Sequence, residues 1–234
     1  MIEELNFEAY LSISQNKYEI YLFDKENFKN IYKEEILLEN NTDLIDYNFL
    51  SNFLDKNIFK IEKLVGGFLK TIVLIIEDNQ ILNFSIGIKK KNYGEKINRH
   101  YLQSSLTELK DLFNENYQNY KIMHFVVNKY LIDGVNYKSF DEEIDGDHIC
   151  VEVNFISTPS ILIKEISNVI EKYQIKIDGL FEMQYIKNNF KGESLDLPTM
   201  VFKIQSGYNQ NEIVLVPKSL KNRGFFEKFF QLFS

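Results

Sequence analysis

The chain has 234 residues, 44% of them hydrophobic, which is enough for one large domain or two small ones with a packed core. Its net charge of −7, from 27 Lys/Arg against 34 Asp/Glu, leaves no broad basic surface for a phosphate backbone and argues against nucleic acid as a partner. The single cysteine, Cys150, has no internal disulfide partner; in the alternating run HICVEVNFI it is expected to be a small buried core residue in a reducing compartment. No stretch reaches the ~18 apolar residues of a membrane span, and MIEELNFEAY lacks a basic-then-apolar leader, so any membrane contact is expected to be peripheral.

Residues 8–24 alternate apolar and polar on either side of Gln15-Asn16-Lys17, which predicts a hairpin, with a third strand near Phe28–Leu38. Residues 45–64 carry apolar side chains at helical spacing and stop at Gly66-Gly67. TIVLII, 71–76, is a continuous apolar run of strand length, the pattern of a strand buried on both faces. QILNFSIGIKK, 80–90, alternates again, and a helix is predicted from 102 with a Ser-x-x-Glu start at Ser105 and Glu108. Strands follow at 121–134 and 148–157, then a helix opened by Pro159 and capped by Thr158, running to about Tyr173. A strand at Ile175–Leu180, a short helix to about Asn189, and a hairpin within TMVFKIQSGYNQNEIVLV complete a mixed α/β pattern.

Few side chains suggest chemistry. His100, His124 and His148 are unclustered and lack zinc-site spacing, so no metal is expected. DEEIDGD, 141–147, does not follow the calcium-loop spacing and reads as a solvated or partner-binding loop, while Lys89-Lys90-Lys91 with Tyr93-Gly94 reads as a basic turn. No nucleophile elbow, Walker-type loop or Cys/His pair is present.

The order of elements, with KIMHFVVNKYLIDG at 121–134, resembles the N-terminal half of FtsA, the actin-like family that tethers the bacterial division ring to the membrane. His124, Tyr130, Asp133 and Gly134 match a hydrophobic-His strand followed by a Tyr-x-x-Asp-Gly turn, and Gly146 follows twelve residues after that glycine. The residues themselves read as a turn dipeptide and a second turn point. The resemblance implies a partial actin-like, ribonuclease H-like α/β subdomain at 1–76 and 158–216. It also implies an inserted strand-helix-strand-strand (SHS2) interaction subdomain at 77–157, with a spacer and tail at 217–234.

Actin-like ATPases hold phosphates in two hairpins that each need a metal-facing Asp and glycines. In the counterpart of the first hairpin, LSISQNKYEI, the Asp position is Ser12, the glycine is Ser14, and Lys17 keeps the family's character. FKIQSGYNQNEIVL is taken as the second, with Lys203 at the Asp position and only Gly207 retained. Without both carboxylates no ATP hydrolysis and no cofactor are expected.

The chain ends in KNRGFFEKFFQLFS. As a helix it places Phe225, Phe226, Phe229, Phe230, Leu232 and Phe233 within an arc of about 160°, with Lys218, Lys221 and Arg223 ahead of them. A basic lead into a short aromatic helix is the chemistry of an interfacial anchor on anionic lipid; the alternative is packing on the protein's own core or in a dimer groove. FtsA-like proteins end in such a helix. The expected function is therefore a non-catalytic tether of cell-division proteins, FtsZ or late divisome components, at the cytoplasmic face of the inner membrane at the division site. Self-association would strengthen it. The alternatives are a pilus-assembly-type actin-homologue scaffold, or an actin-like protein with residual ATP binding.

Overall fold

The structure, a computed structural model, describes residues 6–38, 44–137 and 143–213. The chain divides into two units, one of residues 1–81 and 160–208 and one of 82–159 and 209–234.

The first unit is built on a five-stranded sheet. Its strands are β1 (Phe7–Ile13), β2 (Lys17–Asp24), β3 (Lys29–Leu37), β4 (Thr71–Ile76) and β9 (Lys176–Glu182), in the order β3-β2-β1-β4-β9. β1, β2 and β3 form an antiparallel meander, while β4 lies parallel to β1 and β9 parallel to β4. β1, β2 and β4 are buried along nearly their whole length, as their unbroken apolar runs require. Helices α1 (Tyr47–Val65) and α3 (Ser160–Glu171) cover one face. α1 presents Leu50, Phe53, Leu54, Ile58 and Ile61, and α3 presents Leu162, Ile163, Ile166 and Ile170, to the odd-numbered residues of β1 and the even-numbered residues of β2 and β4. Asp46 caps α1, its Oδ1 accepting from Phe49 N at 2.9 Å, and Gly66 at φ 69° ends it.

The opposite face carries Tyr10 and Phe23 and is met by α5 (Leu197–Gln205), whose Phe202 ring lies 5.8 Å from Phe23 and 5.6 Å from Phe28. This helix corrects the predicted hairpin at 199–216. Asp196 accepts from Thr199 N at 2.9 Å, Pro198 sits in the first turn, and Val201 and Ile204 are buried at helical spacing. These local signals outweigh the β-branched residues that suggested a strand. Between β9 and α5 lies α4 (Met183–Asn189), capped by Glu182, which accepts from the Gln184 amide at 2.7 Å and from that of Tyr185.

The second unit is a four-stranded antiparallel sheet of β5 (Leu82–Lys91), β8 (His148–Pro159), β6 (Tyr120–Ile132) and β7 (Val135–Tyr137), in that order. Helix α2 (Arg99–Asn116) packs Leu102, Leu106, Leu109 and Phe113 on one face, where Phe155 stacks between Phe113 at 4.8 Å and Phe125 at 4.6 Å. α2 starts earlier than predicted. Asn98 accepts from Tyr101 N at 3.1 Å as the cap, and Ser105 lies fully buried within the helix, its hydroxyl turned to the Tyr101 carbonyl. Thr158 likewise caps nothing: it pairs with Lys121 inside β8, because the residue before a proline favours extended backbone. Cys150 is half-buried rather than core, since alternation along β8 sends Ile149, Val151 and Val153 inward and Cys150 to the other face.

In the first unit, the Tyr10 hydroxyl donates to the Glu8 carboxylate, with the Gln205 amide oxygen of α5 3.4 Å away. Burial pushes the Glu8 carboxyl above its ordinary value of 4.5. A raised carboxyl contributes stability below the unfolded-state value and loses it as pH rises through the folded-state value. Glu8→Gln keeps the acceptor and removes that loss. Chemical unfolding of the two proteins should give matching stabilities near pH 4 and a more stable variant at pH 7; parallel curves across that range would sink this account.

Candidate functional site

The hairpin of β1 and β2 carries Ser12, Ser14 and Lys17, the residues that the sequence resemblance aligns with a phosphate hairpin. Ser12 is 2% exposed and lies directly across from Glu19 of β2. The Ser14 amide donates to the Lys17 carbonyl at 3.0 Å, and the Ser14 hydroxyl reaches that carbonyl at 3.0 Å and Asn16 Oδ1 at 2.9 Å. The turn thus binds itself. Lys17, the cation that the family resemblance aims at phosphate, places its Nζ 3.0 Å from the buried Glu19 carboxylate, which also accepts from the Tyr21 hydroxyl at 2.7 Å. Lys33 Nζ stands 3.7 Å from the same oxygen. Burial, and then the Glu19 contact, pushes the Tyr21 hydroxyl well above its ordinary range, so it remains a donor to Glu19.

The second expected phosphate hairpin is not formed. Lys203 lies on α5, 3.6 Å from Glu193 and above the Phe190 ring, and Gly207 follows the helix at φ 87°. Its glycine serves the left-handed turn after a helix rather than the approach of a phosphate.

The motif residues gather at one end of the second unit, with one exception. Asp133 and Gly134, at φ 47° and 84°, make the two-residue turn between β6 and β7, with Ile132 paired to Val135. Two positive φ angles suit the right-handed twist of the strands, and Asp-Gly is the dipeptide that tolerates them. The Asp133 carboxylate accepts from Asp147 N at 2.9 Å and His148 N at 2.9 Å, which holds its carboxyl below the ordinary 3.8. Gly146 stands against Ile132: a Cβ there would come within 2.3 Å of Ile132 Cγ2. Asn92 closes the corner, donating to the carbonyls of Gly146 at 2.8 Å and Glu95. Tyr130 is buried in the adjoining core.

His124 belongs elsewhere on β6. It is 1% exposed, and its Nδ1 lies 2.6 Å from Glu212 Oε1. The segment carrying Glu212 runs beside β6, with Val127 N donating to Asn211 O at 2.9 Å and Ile213 N to Phe125 O at 2.7 Å. The chain therefore adds a short antiparallel piece to β6 immediately before its basic, aromatic C-terminus. Sequence reading missed Glu212, since nothing local marks a partner 88 residues from its histidine. The tail residues Lys218, Lys221, Arg223, Phe225, Phe226, Phe229, Phe230, Leu232 and Phe233 lie outside the described residues. Among the described residues no group of three His, Cys, Asp or Glu side chains is arranged to hold a metal ion, and no helix is long and apolar enough to cross a membrane.

No family model matches the sequence, and no curated protein does. Among solved structures it is similar to a PilM–PilN type IV pilus biogenesis complex, at 8% identity and TM-score 0.49, over 78% of this chain and 49% of that one. It is similar to the cytoplasmic domain of EpsL, an inner membrane component of the type II secretion system of Vibrio cholerae, at 8% identity and TM-score 0.42, over 80% and 60%. A Bacteroides thetaiotaomicron protein with an actin-like ATPase fold matches at 12% identity and TM-score 0.34, over 82% and 61%. The β3-β2-β1-β4-β9 order, with an inserted strand-helix-strand-strand unit, decides the architecture. The fold is mixed α/β in two units. The chain spans between about half and three fifths of the length of these structures.

Two expectations follow for the motif corner. Gly146→Ala should cost about 1–3 kcal/mol in denaturant unfolding, the usual toll of overpacking, whereas Gly87→Ala on open β5 should stay within about half a kcal/mol. Asp133, with its depressed carboxyl, contributes stability above the unfolded-state value that is lost as pH falls below about 3.8. Asp133→Asn should flatten this acid limb of a melting-temperature profile by lowering the neutral end, while the two proteins converge at the acid end.

Proposed function

We propose that the chain is a non-catalytic scaffold of actin-like fold, working at the cytoplasmic face of a membrane-associated protein assembly, with the inserted unit as its partner-binding module. The observation that carries this reading is the β1–β2 turn. Ser14 fills it with its own hydrogen bonds, and Lys17 is committed to Glu19. Phosphate cradles require free amides and an uncommitted cation, and the second cradle gives way to α5. Titration calorimetry with ATP and magnesium should give no binding heat at millimolar nucleotide; micromolar affinity would defeat the proposal.

In one finer form the chain is a pilus-assembly-type scaffold that acts through a membrane protein partner, in keeping with the pilus and secretion subjects of the similar structures. In the other it is an FtsA-like tether at the division site, bound to anionic lipid by its own tail and to division proteins by its inserted unit. The sequence GFFEKFFQLFS favours the second form, because its apolar and polar residues segregate completely on a helical wheel. Flotation of the purified protein with anionic vesicles separates the forms: the tether floats, and Phe226→Glu or deletion after Lys221 sharply reduces the floating fraction. A wild type that stays at the bottom of the gradient selects the partner-bound scaffold.

A further inference from the structure

The C-terminal end of α1 and the loop after it carry three large apolar side chains that the core does not take. Phe59 is 72% exposed, Leu64 54% and Phe68 82%. They stand among lysines: residues 56–70, KNIFKIEKLVGGFLK, hold four lysines and one glutamate, in a chain of net charge −7. That glutamate is turned to structural use. Glu62 Oε1 accepts from Leu69 N at 3.1 Å, and its carbonyl takes the Gly67 amide at 3.2 Å. With Gly66 left-handed and Leu69 and Val65 packed on the core, the Gly66-Gly67-Phe68 loop is fixed with its aromatic ring outward.

We infer that this loop and the outer side of the last turns of α1 form a second lipid contact, docking on an anionic bilayer surface. The inference rests on the reading that the chain works at a membrane. The composition selects the occupant. The core of a protein–protein interface is depleted in lysine, whereas an interfacial lipid contact combines aromatic and leucine side chains with lysines that meet anionic headgroups. Lys63 and Lys70 flank Leu64 and Phe68 in sequence, while Lys60 reaches toward Glu34 at 3.6 Å. One weak amphipathic segment gives marginal binding, and a second contact on the same chain converts it to stable docking through effective concentration.

The test uses the full chain and vesicles of phosphatidylcholine with about a quarter phosphatidylglycerol, against phosphatidylcholine alone. Leu64→Ser with Phe68→Ser changes only exposed positions and should leave the melting temperature unchanged while weakening partition to anionic vesicles by about tenfold. Lys63→Glu with Lys70→Glu should weaken it by about 25-fold, about fivefold for each cation lost. Phe226→Glu should leave a residual that the loop variant removes. Loop variants that bind like their parents in both backgrounds overturn the inference, as does equal binding to neutral vesicles. A loop variant that shifts a dimer to a monomer in gel filtration without changing vesicle binding also overturns it and assigns the surface to a second copy. Full loss with Phe226→Glu and none with the loop variant leaves the tail anchor standing alone; the reverse result removes the tail anchor and keeps the loop.

Discussion

The architecture depends on a parallel pairing that the chain makes across a long excursion. β4 ends at Ile76, and its neighbour β9 begins at Lys176, yet the two pair from Thr71 opposite Lys176 to Ile76 opposite Glu182, with one register shift between Ile72 and Val73. Parallel neighbours need a crossover, and α3 supplies it, packing Leu162, Ile166 and Ile170 on the same core as α1. The inserted unit enters at Leu82 and leaves at Pro159, and Leu82 pairs with Ser157 in its own sheet. Its two ends are therefore neighbours. An insertion whose ends meet can be carried between β4 and α3 without pulling the host strands apart.

Within that frame, the β1–β2 turn is held together by its own side chains. Buried Glu19 pairs with the partly exposed Lys17 and accepts from Tyr21, on the face of the sheet that carries Ser12. Glu19 is the buried member, and Lys33 and the Tyr21 hydroxyl also reach it, so the carboxylate is held by a small network rather than by one partner. Ser14 adds a local tie that a glycine at this position would lack. The same economy marks the inserted unit, where Asp133 uses its φ for the turn and its carboxylate for the amides of the returning strand.

Most strands and α1 were legible because each depends on local pattern. β1 and β2 alternate about a polar turn, TIVLII is an unbroken apolar run, and α1 has a cap, a stripe and a glycine stop. α5 was misread although Asp196 and Pro198 announce a helix start, because Val201, Phe202 and Ile204 also suit a strand. Ser105 misled for a related reason: a capping pattern in sequence says nothing of whether the residue is already inside a helix, and the cap here is Asn98. The fold class was readable from element order, whereas the candidate phosphate turn was readable only as a loss of carboxylate and glycine.

The sequence alone determined what short-range chemistry controls: the Asp133-Gly134 turn, the unbroken core strands, and the basic aromatic character of residues 221–234. Tertiary structure decided what depends on residues far apart in the chain. It joined His124 to Glu212, paired Lys17 with Glu19, pressed Gly146 against Ile132, and turned Cys150 away from the core. The physical reason is range. Backbone propensity, capping and periodicity act over a few residues, but which buried charge meets which partner, and which glycine must stay bare, is set when strands from distant segments pair.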